Sequence, residues 1–437
     1  MSIPTLQGLQ TALSGLLAEQ QALDVTGHNI ANANTEGYSR QVAVLETNPA
    51  LPVPALSAVT GEGGQLGTGV TVGTYTRVRN SYLDAQYRTQ DSALSAAAAQ
   101  AEVLEQAQAA LNEPSSTGIA SQLSEFWTSW NSLADSPTSE AAKQGVVAAG
   151  QRLAGALNQL STQLSTISAQ VEAQYAARTS PTGEVANIAK QIGQLNEQIK
   201  LAEQARQPPN DMLDRRDLLI DKLSALANVT VTTKPDGTDT ISFGDAAKPL
   251  VEGTTVNWPQ TLTAAAGGQL GALLGLNAPG GGLASFRTEL DSVAATLATS
   301  VNALHTSTPF FSGTTAATIS VAVKASEVQA SSTPAAGGND IALAISDLRG
   351  ASADESYSSL VEDVGSKVQG AKDEQANLQT TLTAISNQRQ SVSGVSLDEE
   401  MTNLISDQRG YQASARTLTA MDEMLEQLIE HTGKAGL

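Results

Sequence analysis

Two heptad seams, one at each end of the chain, constrain the fold more than any other feature. Near the N-terminus Leu6, Leu9, Leu13, Leu16, Gln20, Leu23, Gly27 and Ile30 alternate spacings of three and four. Only Gln20 and Gly27 interrupt an otherwise apolar a/d series. The series stops at the turn-rich run Asn32-Ala33-Asn34-Thr35-Glu36-Gly37. At the other end Leu397, Met401, Leu404, Gln408, Tyr411, Ala415 and Leu418 keep the same spacing, and after a one-residue slip of phase the series runs through Met421, Leu425 and Leu428. Ser396 with Glu399 makes a capping box for this helix, and Asp398 and Glu400 suit the positive end of its dipole. Its end is expected near Gly433. Either the two seams pair and bring the chain ends together, or each helix lies separately on a globular core.

Between the seams the pattern is mostly helical. Residues 40–80 read as extended and loop-like, with Pro49, Pro52, Pro54 and a glycine cluster from Gly61 to Gly73. Helical spacing then runs from about Asn80 to Ala177, broken near Pro114 and Pro137. Within it Leu123, Phe126, Trp127, Trp130 and Leu133 form a stripe that reads as core. Ile188, Ile192, Leu195 and Ile199 make another seam, which Pro208-Pro209 separates from a helix starting at Asn210 or Asp211 and ending near Leu226. The short link predicts an antiparallel helical hairpin. The clearest β signal follows: Val229, Val231 and Thr233 alternate, Pro235-Asp236-Gly237 supplies a turn, and Ile241 and Phe243 resume. Leu250-Val251 is a candidate third strand. Helix returns from Phe286 to His305, residues 310–350 carry short β-like runs at Ile319, Val321 and Val323, and a last long helix spans Ser356 to Ser391.

Composition narrows the function. Lys and Arg total 24 against 44 Asp and Glu, a formal charge of −20, which disfavours a grip on nucleic acid or an anionic membrane. The absence of cysteine rules out disulfides, thiolate metal sites and cysteine nucleophiles. The most apolar stretch, Leu262 to Leu276, holds three glycines and a glutamine and falls short of the ~20 apolar residues of a membrane span. The N-terminus lacks the basic segment and apolar run of a cleavable signal.

Residue patterns for chemistry are missing as well. His28, His305 and His431 sit in different segments with no paired-histidine motif, and each reads as structural. Gly61-Glu62-Gly63-Gly64 lacks the strand and helix of a dinucleotide fingerprint. Asp236-Gly237-Thr238-Asp239 lacks the ligand ladder of a calcium loop. Asp214 with Asp217, and Asp398-Glu399-Glu400, read as helix starts and solvated faces rather than acid/base pairs. No catalytic, cofactor-binding or metal-binding residue is implied, and the expectation is a non-enzyme.

Two longer stretches carry a resemblance. Ser14-Gly15-Leu16-Leu17-Ala18-Glu19-Gln20-Gln21-Ala22-Leu23-Asp24-Val25, continued by Asn29 through Arg40, resembles the N-terminal signature of the bacterial flagellar axial protein family. Ser393-Gly394-Val395-Ser396-Leu397-Asp398-Glu399-Glu400-Met401 through Gln408-Arg409-Gly410-Tyr411-Gln412-Ala413 to Asp422-Glu423-Met424-Leu425 is similar to the matching C-terminal signature. Within that family the Ser-Gly-Val-Ser-Leu-Asp-Glu-Glu start and Pro209 to Asp217 resemble the hook-associated protein 1 branch more than rod or hook proteins. Leu270 to Leu274, Leu290 to His305 and Phe310-Phe311 are similar to further landmarks of that branch, in order. Members of the branch usually carry a large β-rich domain after the Phe-Phe landmark, and here only residues 312–350 occupy that place.

The resemblance implies a mainly α protein: paired terminal helices forming a coiled-coil domain, a long-helix bundle domain, and small β-hairpin elements. In these terms residues 1–78 with 395–437 form an inner-tube domain, and 79–228 with 265–394 a helical middle domain. Residues 229–264 are a small β-hairpin element within the middle domain, and 312–350 the reduced remnant of an outer inserted domain. It further implies a structural part joining hook to filament as a ring, exported without a cleaved signal to the extracellular flagellum. Leu6, Leu9, Leu13, Leu16, Leu23, Ile30, Leu397, Met401, Leu404, Tyr411, Leu418, Leu425 and Leu428 would be its assembly seam. Its partners would be further copies of itself, the hook protein, the second junction protein (hook-associated protein 3) and an export chaperone on the C-terminal helix, with no nucleic acid and no membrane insertion. The competing expectations are another axial component such as hook or distal rod, a cytoplasmic helical scaffold, or a secreted enzyme on a helical scaffold. The last would need a pocket of convergent polar groups that the sequence does not supply.

Overall fold

The computed structural model describes residues 4–53, 64–333 and 337–432. The chain opens with α1 (Pro4–Asn32) and a pair of ribbons, β1 (Gln41–Thr47), β2 (Leu51–Val53), β3 (Gly64–Leu66) and β4 (Val70–Arg77). Helices α2 (Ser81–Leu111), α3 (Ile119–Asp135), α4 (Glu140–Thr179), α5 (Glu184–Gln204) and α6 (Asn210–Leu226) follow. Next come β5 (Val229–Thr233), β6 (Asp239–Phe243), β7 (Val251–Glu252) and β8 (Thr255–Val256), then α7 (Gly268–Asn277) and α8 (Gly282–Leu304). The chain continues through β9 (Phe311–Ser312), β10 (Ser320–Val321) and α9 (Asp340–Ser346) into α10 (Ser352–Ser393) and α11 (Leu397–Thr432). The fold is mainly α, as the two seams and the helical middle require.

Local chemistry sets the boundaries. Asn80 caps α2 by accepting from the N–H groups of Tyr82 and Leu83, and Ser139 caps α4 through Ala142. The side chain of Ser396 accepts from the Glu399 N–H at 3.5 Å, so that cap is loose. Between α1 and β1 the chain reverses through Gly37 at φ +79°, where any Cβ would also press on Leu218 of α6.

The body has two cores. In the larger, the stripe Leu123, Phe126, Trp127, Trp130 and Leu133 of α3 is fully buried where α3 packs against α4, α9 and Phe310-Phe311. Each such side chain contributes about 2–3 kcal/mol of transfer free energy. Residues Ala316, Ile319, Val323, Val328, Ile341 and Ile345 join this same core, so the segment after Phe311 lies against the body. The β-like run at 319–323 shortens to the two-residue strand β10, because Ile319 and Val323 serve as core contacts rather than ladder partners. The smaller core joins the α5–α6 hairpin to the antiparallel sheet β5-β6-β7-β8, with Val229 opposite Phe243 and Val231 opposite Ile241. The candidate strand at Leu250-Val251 is β7, and β8 adds a fourth.

The terminal helices α1 and α11 lie side by side along their length. Gly8 faces Met421, Gly15 faces Ser414, and Asn29 bonds Glu400, so the pair is antiparallel. Of the two arrangements the seams allow, the structure has the paired one. The ribbon β1–β4 runs back along α1, from the Asn29–Gln41 contact to Gly69 beside Thr11 and Ser14.

Candidate functional site: the terminal helix pair and the polar node beneath it

Glycine and polar side chains make part of the face through which α1 meets α11. Where the two helices touch, α1 presents Gly8, Gly15, Glu19, Thr26 and Asn29, and α11 presents Glu400, Asp407, Gly410, Ser414 and Met421. Small and polar side chains thus share this contact with Met421 of the C-terminal seam. The seam positions read from spacing are unequally covered. Leu13 keeps 43% of its surface exposed, Met401 50% and Leu397 51%, whereas Leu9, Leu16, Leu23, Ile30, Leu404, Tyr411, Leu418 and Leu425 are half-buried. Leu17 at 49% and Ile405 at 47%, outside the seam as read from spacing, are exposed too. The side chains of Leu6 and Leu428, and Gly433, lie outside the described residues. The result is a helix pair with apolar side chains standing in solvent on its outer faces, more than such a pair needs for itself.

Beneath the pair, the stretches that carry the family resemblance converge on a polar node. Glu400, only 1% exposed, accepts from Asn29 Nδ2 at 3.0 Å and from Arg40 Nε at 2.8 Å. Asn29 also donates to the Gln41 carbonyl at 2.9 Å and accepts from Tyr38 Oη at 2.7 Å and the Gln41 N–H at 3.0 Å. Ser39 donates from both its N–H and its hydroxyl to Asp214. Behind these sits a web of ion pairs. Arg77 reaches Asp214 and Asp217 at 2.8 Å each, Arg79 reaches Asp84 and Asp217, Arg88 reaches Asp217 and Asp221, and Arg389 of α10 reaches Asp84 and Asp221. Four arginines therefore balance four aspartates where the ribbon, α2, α6 and α10 meet.

The electrostatics follow from this packing. Burial works against the charge on Asp217, but Arg79, Arg77 and Arg88 outweigh it and hold its carboxyl below the ordinary range. Burial also works against the charge on Arg79, yet Asp217 and Asp84 fix it as a cation. Burial, with Asp211, Asp214 and Glu400 nearby, pushes the Tyr38 phenol up, so it stays a donor to Asn29. In the helix interface the trend reverses: burial and then Asp407 raise the Glu19 carboxyl, and burial with Glu400 raises Asp407 despite its bond from Thr26.

These residues answer the earlier reading of the acidic neighbours. Asp214 and Glu400 are buried ion-pair partners, not solvated helix faces, whereas Asp398 and Glu399 are exposed. A signal was present: Asp214, Asp217 and Asp221 stand at i, i+3 and i+7, one face of α6, and a one-signed stripe in a chain with few charges calls for opposite partners. Which arginines supply them was not encoded locally. Of the histidines, His28 is exposed beside Tyr38 Oη at 3.0 Å, and His305 is buried between the Thr308 carbonyl and the Gln329 N–H. Among the described residues no group of acidic and histidine side chains could hold a metal ion, and no helix is long and apolar enough to cross a membrane.

Comparison with known proteins places these features in context. Residues 104–266 match the flagellar hook-associated protein FlgK helical domain. Residues 386–430 match the flagellar basal body rod FlgEFG protein C-terminal family, and 9–38 the flagella basal body rod protein family. Flagellar hook-associated protein 1 of Bacillus subtilis is 30% identical over 99% of this chain and 99% of its own length. The Escherichia coli protein of the same name is 30% identical over 56% of this chain and 43% of its own. The flagellar hook junction protein FlgK from Burkholderia pseudomallei aligns in structure with a TM-score of 0.45 at 25% identity, covering 51% of this chain and 43% of that one.

Proposed function

This chain belongs to the flagellar hook-associated protein 1 family, and from that membership we propose that it joins the hook to the filament, assembling with further copies of itself as a ring. The proposal is structural rather than catalytic. Its outer partners are the hook protein on one side and the second junction protein, hook-associated protein 3, on the other. Delivery is as an unfolded chain to the extracellular flagellum, without a cleaved signal, with an export chaperone holding the C-terminal helix on the way.

The observation that carries the reading is the unmet burial of the terminal pair. An isolated pair of helices is marginal in water, and in this one Leu13, Leu17, Leu397, Met401 and Ile405 remain exposed. Neighbouring subunits packed against these stripes supply the missing apolar contact, so the ordered pair gains stability with assembly. The ion-pair node supports the same reading, because it ties the pair to the body and lets load pass between them.

Negative-stain microscopy of cells deleted for this protein tests it. Bare hooks with filament protein shed into the medium are expected. Filaments in normal number on the deleted cells would overturn the proposal.

A further inference from the structure

We propose that the Asn29–Glu400–Arg40 cluster is a register lock: it sets the height at which α1 pairs with α11. Pairs of apolar helices normally fix their register with knobs seated in holes. Here Gly8 meets Met421, Gly15 meets Ser414 and Gly410 meets Glu19, so at these three levels one helix offers no knob. Sliding α11 by one turn would set Gly15 against Tyr411 or Leu418 in place of Ser414.

Glu400 discriminates strongly. Its carboxylate is buried and takes bonds from Asn29 and Arg40 at 3.0 and 2.8 Å. Asn29 cannot follow a sliding partner, because its amide is also held by both backbone groups of Gln41 and by Tyr38 Oη. One turn of slip carries Glu400 about 5.4 Å along the axis and strands its charge among buried groups without a partner. A lone buried polar contact that fixes register in an otherwise permissive helix pair is the best-attested use of such groups. The inference rests on contacts within one chain and does not depend on the assembly reading.

Because the natural chain has no cysteine, paired cysteines report register directly in the full-length protein. A Cβ on Gly15 would lie 3.9 Å from the Ser414 Cβ, within disulfide range. Gly15→Cys with Ser414→Cys therefore reads the native register, and Gly15→Cys with Tyr411→Cys or Leu418→Cys reads a turn of slip either way. Diamide oxidises each thiol pair to the disulfide and is itself reduced to the hydrazine. With Glu400 present, the 15/414 pair should dominate. With Glu400→Leu, its yield relative to the slipped pairs should fall by about tenfold or more, as expected for losing a charge-assisted hydrogen bond. Glu400→Gln, which keeps the shape and the Asn29 contact, should give an intermediate ratio. An unchanged ratio in Glu400→Leu would overturn the proposal. So would loss of all three cross-links, since Glu400 would then hold the helices together without choosing their register.

Discussion

Asp217→Asn tests the polar node most sharply, because the side chain keeps its size and loses only its charge. Asp217 faces Arg77 at 2.8 Å, Arg79 at 3.0 Å and Arg88 at 3.2 Å, and its side chain is only 15% exposed. Removing one partner of a buried ion pair typically costs about 3–5 kcal/mol. The lower end applies here, since each arginine retains a second carboxylate: Asp214 for Arg77, Asp84 for Arg79 and Asp221 for Arg88. A loss of about 3 kcal/mol should lower the melting temperature of a chain this size by roughly 3 °C, followed by circular dichroism. The pH dependence has a definite sign. The folded carboxyl sits below its ordinary value, so its contribution is present above the unfolded pKa of about 3.9 and fades as pH falls through the lower folded value. The gap between parent and variant should therefore be full at neutral pH and close in acid. A variant that melts with the parent at neutral pH, or a gap that widens in acid, would refute the reasoning.

Three further outcomes are expected. Gly268→Ala should destabilise the full chain by about 3 kcal/mol, read from the urea midpoint, because φ is +57° and the added Cβ would lie 2.5 Å from the Leu226 carbonyl carbon; an unchanged midpoint would contradict the close approach of α6 and α7. Glu19→Gln should strengthen the terminal pair at neutral pH, seen as slower amide exchange in α11. Both Glu19 and Asp407 are raised in the folded chain, so their contribution is best below the unfolded value of about 4.3 for Glu and weakens as pH rises; faster exchange in the variant would count against this. A fragment spanning 76–394 should melt cooperatively without the terminal pair, provided it keeps Arg77 and Arg79 for the node; a non-cooperative melt would show that the body needs α1 and α11.

Much of the fold was legible because periodicity and turn chemistry agree along this chain. The aromatic stripe of α3, the proline-linked hairpin of α5 and α6, and the Pro235-Asp236-Gly237 turn each combine two local signals for one structure. The existence of the terminal pair was legible for the same reason, but not its glycine and polar contacts. Leucine spacing points to 9, 13, 16 and 23, and the helices also meet at 8, 15 and 29, positions held by Gly, Gly and Asn. Hydrophobic pattern marks the surface that gains from burial and cannot say whether the second helix of the same chain or a neighbour provides it. Glycines repeating at seven were the available sign of close helix approach. The ion-pair node was illegible for a different reason. Arg88 and Asp221, or Arg40 and Glu400, are more than 130 residues apart, and only the assembled fold brings them within 3 Å.

The exposed stripe on α1 offers the most direct test of the assembly reading, because changing it leaves the folded chain alone. Leu13 and Leu17 stand about half in solvent, so Leu13→Asp with Leu17→Asp should leave the melting curve of the purified chain unchanged while charging the surface reserved for a neighbour. The measurement is negative-stain counting of filaments on cells whose only copy carries both substitutions. Bare hooks, with the variant exported and filament protein free in the medium, are the expected result. Filaments in normal number and length would mean that the stripe meets no neighbouring subunit, and the terminal pair would no longer be the assembly surface.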